Sequence, residues 1–141
     1  MTQQYTILFD LDGTLVDTAP DLMLAHNYVM KQFGYDTKST EDIRNLVGQG
    51  AGALIGRSIW GQAKKEFGAV KNQNIKDKMT KEFINFYAKN ILNKSTLING
   101  VKEFLIWCKK ENISMAVCTN KTEHLAVDLL KKSVFMIFLN M

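Results

Sequence analysis

The stretch YTILFDLDGTLVDT, residues 5–18, decides the fold of this chain. Its apolar run, residues 5–9, is typical of a buried strand in a parallel sheet. Asp10 and Asp12 follow directly, and Gly13 then permits a tight turn and a close approach of a ligand to the backbone. Because ligands of parallel α/β sheets bind at the carboxyl ends of the strands, this stretch predicts a site at the end of the first strand.

Two carboxylates one residue apart repel each other when they face the same pocket. At 4 Å the repulsion is about 4 kcal/mol for an effective dielectric constant near 20. Such a pair is stable when a cation bridges it or when one carboxyl group keeps a proton, and Mg²⁺ is the hard cation that suits oxygen ligands. One carboxylate then acts as a nucleophile and the other as a general acid and base. Aspartates also occur in ordinary turns and caps, but a buried strand that leads into Asp10 and Asp12 favours catalysis.

The rest of the chain alternates helices with one further strand. Helical spacing and capping residues predict helices that begin at Asp17 or Thr18, at Ser39, after the glycine-rich turn 47–52, near residue 75, near residue 100 and near Thr122. The apolar run ISMAVC, residues 113–118, predicts the second strand. Strands that alternate with helices indicate an α/β fold with a parallel sheet. The two strands lie about a hundred residues apart, more than one crossover needs, so roughly residues 18–90 are predicted to form a helical insert.

The second strand ends in Thr119 and Asn120, and Lys121 precedes the next helix. A hydroxyl group, free backbone N–H groups and a helix N-terminus together form an anion site. Alternatively, residues 119–122 simply cap the helix. An acidic pair at one strand end and a phosphate cradle at the other favour the first interpretation.

Composition narrows the class of protein. The 141 residues are 46% hydrophobic and 23% charged, with a net charge of +4. Because the lysines are scattered and no basic run is interleaved with aromatic residues, we expect no nucleic-acid partner, although the charge attracts an anionic substrate. No membrane span or signal peptide is evident, which predicts a cytoplasmic protein. Cys108 and Cys118 are predicted to be buried, and His26 and His124 have no evident partners.

Three motifs carry a resemblance to a known family: FDLDGTLVDTAPD at residues 9–21, VGQGAGALI at residues 47–55 and CTNK at residues 118–121. From residue 5 to residue 132 the chain resembles the phosphoglycolate phosphatase branch of the haloacid dehalogenase-like superfamily. The resemblance implies a Rossmann-like core, residues 1–17 and 91–141, and an inserted α-helical cap, residues 18–90, that closes over the site. It also implies a Mg²⁺-dependent phosphatase that hydrolyses a small phosphorylated metabolite, with 2-phosphoglycolate the leading substrate, through an aspartyl-phosphate.

The same resemblance assigns roles to the strand ends. Asp10 is expected to be the nucleophile, and Asp12 to protonate the leaving group and then activate water. The Asp10 carboxylate and the Asp12 carbonyl are expected to hold Mg²⁺. Thr119 and the N–H of Asn120 are expected to bind phosphate oxygens, with Lys121 as a further candidate that neutralises phosphate charge.

Three residues of the insert are candidates for the cap side of the site. Arg44 and the turn from Gly48 to Gly50 are expected to contact a small carboxylate or to seat the closed cap. A surface arginine and an ordinary helix connection are equally good interpretations.

The end of the chain departs from the family pattern. The family's later lysine and acidic motifs are expected after the helix that ends near Lys132, where this chain reads SVFMIFLNM, residues 133–141. These residues predict an apolar strand or an altered tail, and the Rossmann-like core is therefore expected to be incomplete. The alternative function is a catalytically inactive remnant that binds phosphate weakly. A sugar-phosphate mutase or a dehalogenase is also open, although Asp12 argues against a dehalogenase.

Overall fold

A computed structural model describes residues 5–60 and 69–139 as an α/β fold. Its strands are β1 (Thr6–Phe9), β2 (Val16–Asp17), β3 (Thr96–Leu97) and β4 (Ser114–Val117). Its helices are α1 (Ala19–Phe33), α2 (Thr40–Arg44), α3 (Ala51–Trp60), α4 (Ala69–Lys89), α5 (Val101–Lys110), α6 (Glu123–Lys132) and α7 (Phe135–Leu139). The predicted α/β class is confirmed. Residues 61–68 of the predicted insert lie outside the described residues.

The parallel sheet pairs the two predicted strands. Strands β1 and β4 run in register from Thr6 opposite Ser114 to Phe9 opposite Val117. The N–H of Cys118 continues the ladder by donating to the Phe9 carbonyl at 2.8 Å. Both strands therefore end at the same edge, which brings Asp10 and Asp12 beside the segment that follows β4.

The prediction that both strands are buried is wrong. Phe9 packs edge-on against Phe104 of α5, with ring centroids 6.1 Å apart, and is half-buried. Leu8, on the opposite face of β1, is 68% exposed. The reason is that α5 covers one face of the sheet, whereas no element within residues 5–60 and 69–139 covers Leu8. Cys118 is exposed because no element among the described residues covers it either, whereas Cys108 is buried as predicted.

A second, two-stranded sheet was not predicted. Strands β2 and β3 pair antiparallel, with Val16 opposite Leu97 and Asp17 opposite Thr96. Each strand has two residues, too few for an alternating pattern to be recognised in the sequence. This pairing joins the segment between β1 and α1 to the segment between α4 and α5, and Val16 also forms a bridge to Asp12.

The ends of the first helices follow the sequence signals. Helix α1 has Thr18 as its N-cap and a proline in its first turn, and it ends at Gly34, whose φ of 76° is left-handed. Glycine adopts this conformation without the steric cost of a Cβ atom. Ser39 and Asp42 form the predicted capping box of α2.

Two buried polar contacts fix the insert. His26 of α1 lies 2.8 Å from the hydroxyl of Ser58 in α3, so the expectation that it has no partner is wrong. Asp21 of α1, fully buried, accepts hydrogen bonds from the backbone N–H groups of residues 93–95 at 2.8–3.0 Å. The second contact ties α1 to the segment that returns from α4 to β3.

The tail after α6 is helical where a strand was one of the predictions. Helix α7 places Ile137 one turn from Val134, and both side chains are buried. This spacing lets them pack together on one helical face, against α5 and α6. No helix within the described ranges is long and apolar enough to cross a membrane.

Candidate active site

The acidic pair stands at the end of β1, on a turn that the local sequence builds. The Oδ1 atom of Asp10 accepts the N–H of Leu11 at 2.8 Å. Gly13, with a φ of 80°, turns the chain so that its N–H donates to the Val16 carbonyl at 2.8 Å. The hydroxyl of Thr18, the cap of α1, donates to Oδ1 of Asp12 at 2.7 Å. Asp10 and Asp12 line the same cavity, as the sequence predicts.

Lys121 supplies the positive charge beside this pair. Its Nζ atom lies 2.9 Å from Oδ1 and 3.2 Å from Oδ2 of Asp12. The two side chains are only 5% and 11% exposed, and the ammonium group also lies 4.6 Å from the ring centroid of Tyr87. The sequence suggested a bridging cation, or a proton kept by one carboxyl group, as the means of relieving the repulsion between Asp10 and Asp12. The lysine offers a third means, and its position directly after the second strand is the signal that pointed to it.

The end of β4 brings polar groups to the same cavity. The Oγ1 atom of Thr119 accepts the N–H of Lys121 at 3.1 Å. The side-chain amide of Asn120 donates to the carbonyl of Gly48 in the insert at 2.8 Å. Helix α6 starts two residues after Lys121, and its N-cap, Thr122, makes no side-chain capping bond. Capping by Thr122 therefore does not account for this segment.

The glycine-rich turn of the insert rests on the end of β4. Gly48 and Gly50 have φ angles of 111° and 83°. A Cβ atom on Gly50 would lie 3.2 Å from the backbone oxygen of Asn120, so the close approach requires a glycine. The turn therefore covers the strand ends.

Arg44 lies at the edge of the site. Its guanidinium group is 2.7 Å from Asp17 and 3.0 Å from Glu41. It lines an open cleft of about 490 Å³ beside the acidic pair, and its side chain is 44% exposed. The arginine therefore joins α2 to the end of β2.

A partly open cavity of about 40 Å³ lies between the strand ends and residues of α1, α3 and α4. Asp10, Asp12, Val47 and Gly48 line both this cavity and the open cleft, so they form the boundary between the two spaces. Apart from Arg44, every predicted site residue lines the cavity: Asp10, Asp12, Gly48, Gly50, Thr119, Asn120 and Lys121.

Few groups are available to bind a metal ion, and those groups are hard oxygen donors. Within the described residues, no group of three or more histidine, cysteine or acidic side chains could hold a metal ion. The Asp10 carboxylate and the backbone carbonyl of Asp12 remain. Since Mg²⁺ in phosphoryl-transfer sites keeps several waters and uses one or two carboxylates together with substrate phosphate oxygens, this donor set fits Mg²⁺ shared with a phosphorylated ligand.

Sequence reasoning missed Tyr87. It lines the cavity from α4, is 1% exposed, and its hydroxyl has no hydrogen-bond partner in the described structure. Burial raises the pKa of the Tyr87 phenol, and the charges of Asp12 and Asp21 raise it further. The spacing of four residues from Met79 to Phe83 and on to Tyr87 was the available signal.

The chain matches the model of the haloacid dehalogenase-like hydrolase family over residues 7–140. It is 39% identical to the phosphoglycolate phosphatase of Haemophilus influenzae over 125 residues, which cover 87% of this chain and 55% of that protein. It is 40% identical to the phosphoglycolate phosphatase of Agrobacterium fabrum over 125 residues, 89% of this chain and 52% of that protein. The chain thus spans about half the length of these curated relatives.

Solved structures give the same result. The crystal structure of a predicted phosphoglycolate phosphatase from Haemophilus somnus superposes with a TM-score of 0.81 at 34% identity, covering 94% of this chain and 59% of that one. The β-phosphoglucomutase of Clostridium difficile superposes with a TM-score of 0.71 at 25% identity, covering 92% and 56%. The resemblance found in the sequence is confirmed.

Proposed function

This chain belongs to the haloacid dehalogenase-like hydrolase family, and from that membership we propose that it carries the site of a Mg²⁺-dependent phosphatase acting on small phosphate monoesters, with 2-phosphoglycolate the leading substrate. One observation carries the proposal. Asp10 and Asp12 share a cavity with the three polar residues that follow the neighbouring strand, Thr119, Asn120 and Lys121. A nucleophile, an acid and base, and an anion cradle therefore meet at one point.

In the first step, a carboxylate oxygen of Asp10 attacks the phosphorus atom of the monoester. The new bond joins Asp10 to phosphorus, the bond between phosphorus and the ester oxygen breaks, and Asp12 gives its proton to the departing alkoxide. In the second step, a water molecule attacks the phosphorus atom of the aspartyl-phosphate while Asp12 takes a proton from this water. The bond between the Asp10 oxygen and phosphorus breaks, inorganic phosphate leaves, and the Asp10 carboxylate is restored. The end of β1 supports these roles because it places Asp10 and Asp12 at one cavity.

Asp12 requires a proton before it can act as an acid. In the structure it accepts hydrogen bonds from Thr18 and Lys121, an arrangement that suits the ionised form. An arriving phosphate competes for Lys121, because its oxygens bind at Thr119 and at the N–H of Asn120, next to the lysine in the chain. We therefore propose that Lys121 turns from Asp12 towards the phosphate when substrate binds, which frees Asp12 to carry a proton.

Mg²⁺, when bound to the Asp10 carboxylate and the Asp12 carbonyl, supplies positive charge that offsets the repulsion between Asp10 and a phosphate dianion. Lys121 adds a second positive charge within 3.2 Å of the Asp12 carboxylate. Since the lysine is almost fully buried, its charge is poorly screened by water and acts strongly on a bound phosphate.

We further propose that residues 18–90 are a cap and that residues 1–17 and 91–141 belong to the catalytic core. The contact between Asn120 and Gly48 supports a closed arrangement in which the cap excludes water from the strand ends. The ion pair between Arg44 and Asp17 supports a role for Arg44 in seating the cap.

A second candidate function is phosphate binding without turnover. It is favoured by the absence of a third acidic or histidine ligand near Asp10 and Asp12 in the described part of the chain. With only one carboxylate and one carbonyl, Mg²⁺ retention would depend on the substrate. Both candidates bind a phosphate ester, and they differ in whether it is hydrolysed.

Hydrolysis of 2-phosphoglycolate and of p-nitrophenyl phosphate by the full chain, with Mg²⁺ or with a chelator, tests the proposal. We expect turnover that depends on Mg²⁺ and is abolished in Asp10→Asn and in Asp12→Asn. Asp128→Asn is the matched control, because Asp128 pairs with Lys132 on the surface of α6, away from the cavity. Binding of phosphate esters without turnover at any Mg²⁺ concentration would select the second candidate.

A further inference from the structure

His26 lies in a cluster of polar side chains that the proposed phosphatase chemistry does not use. The imidazole is fully buried in α1, and Ser58 of α3 is only 2% exposed. The Nδ1 atom of His26 lies 2.9 Å from Oδ1 of Asn27, and the Nε2 atom lies 2.8 Å from Oγ of Ser58. Both ring nitrogens therefore have a polar partner, and the second contact joins α1 to α3.

The backbone of Lys38 fixes the direction of these hydrogen bonds. The N–H of Lys38 donates to Oδ1 of Asn27 at 2.9 Å, and the side-chain amide of Asn27 donates to the Lys38 carbonyl at 2.8 Å. Because Oδ1 can only accept, Nδ1 of His26 has to carry the hydrogen. In the neutral imidazole Nε2 is then an acceptor, and the Ser58 hydroxyl donates to it.

Hydrogen bonding alone would allow His26 to take up a proton. The Oγ atom of Ser58 also lies 3.0 Å from the Leu54 carbonyl, so the hydroxyl can turn to that oxygen when Nε2 gains a hydrogen. Burial of the charge is what opposes protonation, because an imidazolium in this position loses its water. Burial lowers the pKa of His26, the hydrogen bond to Asn27 partly opposes this, and the charge of Lys38 lowers the pKa further. The folded chain thus favours the neutral imidazole.

Neighbouring charges do not compensate a proton on His26. Among the described residues, the charge that acts on the ring is that of Lys38, which is positive. Helix α4 packs on both α1 and α3, and α2 packs on α1. The following ionisable groups of α2, α3 and α4 contact other partners: Glu41 with Arg44, Asp42 with Ser39, Arg57 with Gln49, Asp77 with Gln73, Lys76 with Trp60 and Lys78 with Phe33.

The two helices that this cluster joins both lead to the candidate active site. Helix α1 begins directly after Thr18, whose hydroxyl donates to Asp12. Helix α3 begins directly after Gly50, in the turn that rests on the end of β4, and its Leu54 lines the cavity. The contact between His26 and Ser58 therefore helps to fix the position of this turn relative to the acidic pair.

We propose that His26, Asn27 and Ser58 form an acid-sensitive latch between α1 and α3. With a neutral imidazole, the Ser58 hydroxyl donates to Nε2 and the latch is closed. When His26 takes up a proton, the contact opens to water, α3 separates from α1, and the turn at residues 47–50 lifts from the end of β4. The expected consequence is a loss of phosphate affinity in acid. That consequence rests on the proposed function, whereas the latch itself does not.

Nuclear magnetic resonance of the ¹⁵N-labelled full chain tests the latch without any ligand. The variant His26→Gln identifies the signals of the His26 ring. At neutral pH we expect the hydrogen on Nδ1 and none on Nε2, and a titration midpoint below that of the same histidine in the urea-unfolded chain. A hydrogen on Nε2 at neutral pH, or a midpoint at or above that of the unfolded chain, would overturn the latch.

Asn27→Asp reverses the effect while it keeps His26. It places a carboxylate of nearly the same shape beside Nδ1 and so supplies the missing negative charge. We expect the His26 midpoint to rise above that of the parent chain. The matched control is Asn74→Asp, which adds the same charge at an exposed position of α4 and should leave the midpoint unchanged. Equal shifts in the two variants would overturn the role of Asn27.

Calorimetry with inorganic phosphate tests the link to the site. The Kd is measured at neutral pH and about one pH unit below 6.5, the usual pKa of histidine. Protonation of phosphate itself is common to all chains, so the comparison between chains isolates His26. The affinity lost on acidification should be largest in the parent chain and smaller in both His26→Gln and Asn27→Asp. Equal losses would overturn the link between the latch and the site. No phosphate binding at either pH would overturn the proposed function, and the resonance experiment would still decide on the latch.

Discussion

Replacing Gly50 with alanine tests the contact between the glycine-rich turn and the end of β4. Gly50 has a φ of 83°, and its Cα atom lies so close to the end of β4 that an added Cβ atom would be 3.2 Å from the Asn120 oxygen. The substitution therefore adds backbone strain and a close contact at one position. The contact is to backbone, which cannot move aside as a flexible side chain does.

The expected cost follows from these two effects. An L-residue in the left-handed region costs about 1–2 kcal/mol relative to glycine. Displacing Asn120 also weakens its 2.8 Å hydrogen bond to the Gly48 carbonyl, a loss of about 0.5–1.5 kcal/mol. Together they predict that Gly50→Ala lowers the free energy of unfolding by about 1.5–3.5 kcal/mol, unless the turn lifts from the strand end, in which case phosphate affinity falls instead.

Urea unfolding and phosphate-ester binding, measured side by side, distinguish these two outcomes. Gly52→Ala is the matched control: its added Cβ atom meets nothing within 4 Å, and it lies in the first turn of α3. Alanine is a better helix former than glycine, so the control should be as stable as the parent chain or more stable by up to about 1 kcal/mol. Equal stability and equal phosphate affinity in the two variants would refute the contact.

Three further predictions concern charged and polar groups. Lys121→Met should weaken phosphate-ester binding at least about tenfold. A double-mutant cycle of Lys121→Met with Asp12→Asn, measured by calorimetry, should show that the two effects are coupled. Independent effects of the two substitutions would contradict the ion pair. Burial lowers the pKa of His26, so the unfolded chain takes up the proton first and stability should fall as the pH drops below about 6.5. Urea unfolding at several pH values should show this fall in stability in the parent chain and a smaller fall in His26→Gln. Identical pH profiles of the two chains would contradict the assignment of the fall to His26. Asp21→Ala leaves buried N–H groups without an acceptor and should lower the free energy of unfolding by about 2–4 kcal/mol in the same assay. The exposed variant Asp128→Ala is the control. A loss below about 1 kcal/mol in Asp21→Ala would contradict the role of Asp21 as the acceptor for these N–H groups.

The parallel sheet and its site were predictable because their signals are local. The run before Asp10 and the run before Thr119 each read as a strand, and parallel strands place their carboxyl ends together. Capping residues such as Ser39 and Gly34 likewise act on their own helix, so the sequence located those helix ends.

What the sequence could not provide depends on contacts between distant segments. The pairing of β2 with β3 joins residues about eighty positions apart through two residues on each side. The ion pair of Lys121 with Asp12, and the contact of His26 with Ser58, depend on how helices of the insert and strand ends pack together. The burial of β1 was overestimated because an apolar run does not reveal which face of a sheet is covered.

The central claim is that Asp10 accepts the phosphoryl group. The direct measurement is mass spectrometry of the full chain after acid quenching of a reaction with 2-phosphoglycolate and Mg²⁺, followed by peptide mapping. We expect one phosphoryl group on the peptide that contains Asp10, and none in Asp10→Asn. Turnover with the phosphoryl group on another residue, or turnover that persists in Asp10→Asn, would contradict the claim.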